Sequence, residues 1–176
     1  MSDHYLTSAL QQFHYYKSLG DKTFTQLDDE KLCWQYNEES NSIANIIKHL
    51  CGNMLSRWTN FLTEDGEKSW RNRDEEFEIF NTSKEALIEI WEKGWTCLFD
   101  ALASLTEEDL NRTVLIRNEA HTVIEAINRQ LAHYPYHIGQ IVFIGKMCSN
   151  QAWNSLSIPK GNSVAFNQEK FGESRK

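Results

Sequence analysis

Only two prolines and eight glycines interrupt 176 residues, and the long stretches between them repeat apolar side chains every three or four positions. A chain with so few breakers and that period is restricted to packed helices, because an α-helix puts positions three and four apart on one face. The fold class is therefore all-α, and the spacing predicts four long helices. The length suits one domain, 1–176, with a core large enough to fold without disulfide or metal staples.

The first helix is expected over residues 3–20, with Leu6, Leu10 and Phe13 on one face and Gly20 as its stop. The second begins after Asn41 or Ser42, either of which can cap free backbone amides. It carries Ile43, Ile46, Ile47, Leu50, Met54 and Phe61 along its stripe. Thr82 with Glu85 reads as a capping box for the third, whose stripe is Leu87, Trp91, Trp95, Leu98 and Leu102. Thr122 with Glu125 opens the fourth, which runs to about residue 148.

Between these lie a polar connection, DDEKLCWQYNEESN, and an aperiodic segment, residues 63–81. The latter is long for a bundle connection and so is a candidate functional loop or lid. RTVLIRN alternates enough for a brief extended excursion, and the tail after Trp153 reads as irregular. There is no internal repeat.

A formal net charge of −7 disfavours the phosphate backbone, and the one basic cluster, WRNR at residues 70–73, is followed directly by DEE. No nucleic-acid partner is expected. No membrane partner is expected either, since no apolar run approaches the ~20 residues that cross a bilayer. The N-terminal residues carry no basic-then-apolar signal and Cys33, Cys51, Cys97 and Cys148 form no paired motif, so a reducing, cytoplasmic setting with free thiols is expected.

Chemistry concentrates in LAHYPYHIGQ, residues 131–140. On a helix turning ~100° per residue, His133 and His137 lie about 40° apart, with Gln130, Gln140 and Ile144 on the same strip. They border the apolar stripe of Ile127, Leu131, Tyr134, Ile138 and Val142. Pro135 between them removes one backbone donor and is expected to bend the helix away from the histidine strip. On the second helix His49 borders the stripe in the same way, flanked by Asn45 and Asn53 one turn before and after. Packing the two helices on their apolar faces can bring three imidazoles to one edge. Three neutral imidazoles suit zinc, nickel or iron and leave open positions, the arrangement of catalytic rather than structural sites. The same spacing also fits surface or satisfied core histidines; His4, His14 and His121 match no such pattern and read as structural or solvated.

His49 within IIKHLCGNMLSRW, and the H-x3-H followed by GQI in AHYPYHIGQIVFIGK, resemble the DinB superfamily, in particular a branch of uncharacterised bacterial proteins. The likeness extends to the DGEKSWRNRDEEF loop, to IRNEAHTVIEAINRQLAH and to SLSIPKG. It implies a DinB-type four-helix bundle holding a divalent metal ion on His49, His133 and His137. The resemblance leaves the reaction open: some members are metal-dependent transferases that use low-molecular-weight thiols, and others resemble hydrolases or isomerases.

The expected function is accordingly a divalent-metal-dependent enzyme acting on a small molecule, either as a thiol transferase or as a hydrolase, with zinc or nickel foremost and iron also suited. Asn53 and Gln140 are expected to orient ligands or bound water, while Arg57, Trp70 and Arg73 are substrate-binding candidates. Arg57 is equally readable as a surface arginine lying over Trp58. No carboxylate lies one turn from a ligand, so no general base is named. The alternative is a non-catalytic bundle with a structural metal, working as a homodimeric interaction or stress-response module through aromatics such as Trp91, Trp95 and Trp153; a bundle without metal is the third reading.

Overall fold

The computed structural model of the chain describes residues 3–149 and 152–173. Four long helices dominate: α1 (Asp3–Phe24), α3 (Ile43–Trp58), α4 (Lys84–Ala103) and α5 (Val123–Ser149). Between α1 and α3 lies a single turn, α2 (Asp29–Cys33), and α6 (Ser163–Glu173) ends the described chain.

Residue pairings set the direction of each helix. Tyr5 bonds to the carbonyl of Ile124 and to Asn128, and Thr23 lies against Gly145, so α1 and α5 run parallel. In contrast, α4 opposes α1, since Phe13 meets Trp95 while Gly20 meets Trp91. Gly94 of α4 lies on Cys51, and Cys97 lies beside Thr59 further on, so α3 and α4 run the same way. The bundle is therefore up-down-down-up. Residues 59–83, joining two parallel helices, must travel back along its length as a crossover.

The predicted stripes form the core. Ile43, Ile46, Ile47, Leu50, Met54, Phe61 and the full α4 set of Leu87, Trp91, Trp95, Leu98 and Leu102 are buried. Trp95 packs edge-on to Trp91, Phe13 and Tyr134, which makes it a hub joining α1, α4 and α5. Burying one such ring stabilises the fold by roughly 1.5–3 kcal/mol. Trp91 and Trp95 are thus core residues and not interface residues.

Several local expectations are corrected. Gly20 does not stop α1, which continues to Phe24. A Cβ there would stand 2.6 Å from the Trp91 ring, so its bare Cα serves close packing and not termination. Ser42 caps α3 in a reciprocal box with Asn45, and the helix ends at Trp58, where Asn60 adopts a positive φ of 50°. The α4 cap is Ser83, one residue later than expected. The Thr122–Glu125 box is present as read: Glu125 N donates to Thr122 Oγ1 at 3.2 Å and Thr122 N to Glu125 Oε2 at 2.7 Å. Pro135 lies within α5 without ending it. In the tail, α6 follows an irregular stretch; its weak apolar pattern gives no periodicity signal.

The extended excursion is a hairpin, β1 (Thr113–Ile116) paired antiparallel with β2 (Glu119–Thr122). Arg117 and Asn118 form its two-residue turn at φ of 55° and 61°, the left-handed geometry that matches strand twist. Asp65 in the crossover accepts from the N–H groups of both residues, at 2.8 and 2.7 Å, and fixes the hairpin tip against the crossover. Among the described residues, no helix is long and apolar enough to cross a membrane.

Candidate metal centre

Antiparallel packing of α3 on α5 brings His49 to His133 and His137. Nε2 of His133 lies 3.4 Å from Nε2 of His49 and 3.1 Å from Nε2 of His137. One ligand atom from each ring falls within 4.8 Å of the others, so this cluster can hold a metal ion. It is the only such group of three among the described residues.

The opposite nitrogen of each ring is anchored. Nδ1 of His49 lies 2.9 Å from Glu76 Oε2, Nδ1 of His133 lies 3.2 Å from Gln130 Oε1, and Nδ1 of His137 lies 3.1 Å from Gln140 Oε1. A carboxylate only accepts, so His49 carries its proton on Nδ1; the amide oxygens impose the same tautomer on the other two. Three Nε2 lone pairs are then left facing one another. Such an arrangement is repulsive until a cation or proton enters, which is what a preformed ligand set looks like.

Protons are disfavoured here. Burial, with His137 and His49 alongside, pushes His133 down to about 3, and burial with His49 nearby pushes His137 down to about 4. Both rings are neutral near pH 7, the form that binds metal.

Glu76 arrives from the crossover, on a 3-10 turn (Asp74–Phe77). Arg71 grips it with two parallel bonds, Nε to Oε1 at 2.7 Å and Nη2 to Oε2 at 2.8 Å. Burial pushes the Glu76 carboxyl up, but the bonds from Arg71 and His49 outweigh this and hold it below its ordinary range. It is therefore a locked anion that orients His49, not a free base. Gly52, one turn after His49, leaves room for it: a Cβ there would collide with Oε1. Both ends of the crossover are tied to α3, with Ser56 Oγ donating to the Gly66 carbonyl at 2.8 Å and Asn45 Nδ2 donating to that of Glu78 at 2.7 Å.

The three rings line one wall of a cavity of about 510 Å3 that is open to solvent. Its polar rim includes Asn53, Gln130, Gln140, Arg57 and Arg73. Gln140 thus stands behind the His137 ring, whereas Asn53 has no hydrogen bond to an imidazole among the described residues: its Oδ1 accepts from Tyr134 at 3.1 Å, and the Tyr134 hydroxyl in turn accepts from Trp58 Nε1 at 3.0 Å.

Arg57 is only 7% exposed, so it is not a surface arginine lying over Trp58. It donates to the Gly66 carbonyl and, at 3.2 Å, to Glu67. Arg73 sits over the ring of Phe77, which itself packs on His49. Trp70 is 58% exposed and is not among the residues lining the cavity. His14 stacks on Phe99, and neither His4 nor His121 joins the cluster.

Glu76, Arg117 and Arg129 escaped the sequence reading, and Arg71, within the lid candidate at residues 63–81, was not paired with a carboxylate. Glu76, Arg71 and Arg117 come from connections, where no period betrays direction. Gln130 was placed on the histidine strip but not as a partner, although its signal was readable: it precedes His133 by three residues as Gln140 follows His137 by three, giving Q-x2-H-x3-H-x2-Q on one helix face.

A family model described as Protein of unknown function (DUF1572) matches residues 1–162. No curated protein matches the chain.

Proposed function

Because the chain belongs to the DUF1572 family, whose description names no activity, we propose a function from the site itself: a divalent-metal-dependent enzyme acting on a small molecule in the cavity beside His49, His133 and His137. The observation that carries this is the convergence of three Nε2 atoms whose rings are each fixed from behind by Glu76, Gln130 or Gln140. The likeness of this set to the three-histidine site of the DinB superfamily supports the same reading.

Three imidazoles suit zinc or nickel, with iron also accommodated. A bound ion supplies Lewis acidity, which lowers the pKa of water or of a thiol and so serves hydrolysis or thiol transfer. The chain's own contribution is positioning. Gln130 and Gln140 hold their rings in the ligating tautomer, Arg71 keeps Glu76 ionised against His49, and the open cavity admits substrate from the side away from the core. A purely structural metal fits less well, since the cluster stands at the cavity wall beside a core that is complete without it. Cys51 itself is a poor nucleophile, because burial pushes its thiol up to about 11.

Elemental analysis of untagged protein tests the reading. One metal ion per chain is expected, lost in His49→Ala, His133→Ala and His137→Ala alike, while the metal-free protein keeps its helical circular dichroism. Equal metal content in wild type and all three variants refutes the site, and unfolding on metal removal makes the metal structural.

A further inference from the structure

The chain contains seven arginines, of which five, Arg57, Arg71, Arg73, Arg117 and Arg129, line the histidine cavity. None of the eleven lysines lines it among the described residues. In a chain of net charge −7 this segregation runs against the overall balance. Lysine serves general solubility, whereas guanidinium offers a rigid fork that matches carboxylate and phosphate oxygens in pairs.

Two carboxylates answer these five cations. Glu76 binds Arg71, and Glu67 is shared between Arg57 at 3.2 Å and Arg117 at 3.0 Å. Among the described residues, Arg73 and Arg129 have no carboxylate partner. Arg57 Nε is buried without a hydrogen-bond partner, although the residue lies in the cavity wall. The wall keeps a surplus of positive charge in a concave site, with Arg57 buried, Arg71 half-buried and Arg73, Arg117 and Arg129 exposed to an incoming anion.

We infer that the substrate of this cavity carries a doubly charged oxyanion group, as in a phosphate monoester or a dicarboxylate, and that Arg73 and Arg129 engage it, with Arg57 and Arg117 adding to the field. This assignment rests on the cavity being the reaction site proposed above. The four positions come from α3, the crossover, the hairpin tip and α5, so the anion would lie where those elements meet the three imidazoles.

Calorimetric titration of the metal-free protein at low ionic strength, with inorganic phosphate and with malonate, tests it; neutral malonamide is the control. Saturable binding of at least one of the two anions, with no malonamide binding, is expected. The preference between phosphate and malonate identifies the oxyanion. Arg73→Ala and Arg129→Ala are each expected to weaken binding by about tenfold or more, since each removes a charge-assisted pair. Arg112→Ala, outside the cavity and paired with Asp109, leaves it unchanged.

Equal affinity in wild type, Arg73→Ala and Arg129→Ala overturns the inference, as does the absence of saturable binding. Malonate binding that appears only in zinc-loaded protein and ignores both arginine variants overturns it too. His133→Ala separates the two proposals. Anion binding that survives there while no protein form takes up metal upholds the anion site and sinks the metal reading, whereas stoichiometric metal without anion binding does the reverse.

Discussion

Glu76 accepts a hydrogen bond from Nδ1 of His49 at 2.9 Å, across 27 residues of sequence and with both side chains buried. The bond joins the crossover to the three-histidine cluster, because the carboxylate that reaches His49 is the one Arg71 clamps from the other side. A ligand imidazole backed by a carboxylate is a stronger and better oriented donor.

Glu76→Gln keeps the shape of this contact and removes its charge. Zinc affinity is expected to fall by about tenfold to a hundredfold, the range for partners behind metal ligands. Competition against a chromophoric chelator measures it. An unchanged affinity would mean that His49 is oriented by packing on Phe77 alone.

Gly52→Ala reaches the same carboxylate from the opposite side. The added methyl overlaps Glu76 Oε1, so the crossover must shift outward even though alanine is the better helix former. Weaker zinc binding with undiminished helical circular dichroism is the expected result. Tight binding in this variant would show that Glu76 yields without losing His49.

Tyr134→Phe tests the core apart from the site. The fully buried hydroxyl accepts from Trp58 Nε1 and donates to Asn53 Oδ1, so its loss strands two polar groups at a cost of about 1–3 kcal/mol. Denaturant unfolding should register that loss, with metal content unaltered. A fall in metal content would link this network to the histidines, which no hydrogen bond among these residues does.

Asp65→Ala should give a pH-dependent defect. Burial pushes the Asp65 carboxyl up, but the amides of Asn118, Glu67 and Arg117 outweigh it and hold the group below its ordinary range. A depressed pKa means that the folded state favours the ionised form. The stabilisation is therefore complete above about pH 4, the unfolded value, and is lost as the pH falls through the folded one. Wild type should exceed the variant by about 1 kcal/mol near neutrality, a modest figure because solvent reaches the carboxylate. The gap should close in acid. Melting curves at several pH values would expose a constant gap, which would assign the effect to packing instead.

The amino-acid order alone determined the four helices, the core stripes and the three histidines. Helical period fixes which residues share a face, and His133 and His137 lie on one face wherever α5 is placed. Asn53 illustrates the limit of that logic: one turn from His49, it is spaced to orient a ring, yet Tyr134 claims its oxygen. Period gives direction on a single helix and says nothing about what the facing helix offers. The fold therefore decided the partners. Only the parallel course of α3 and α4 forces residues 59–83 along the bundle, and that path delivers Glu76 to His49 and Arg71 to Glu76. Likewise Arg57, Arg73, Arg117 and Arg129 stand far apart in the chain and become one charged wall only when four separate elements meet, since aperiodic segments take their direction from what they pack against.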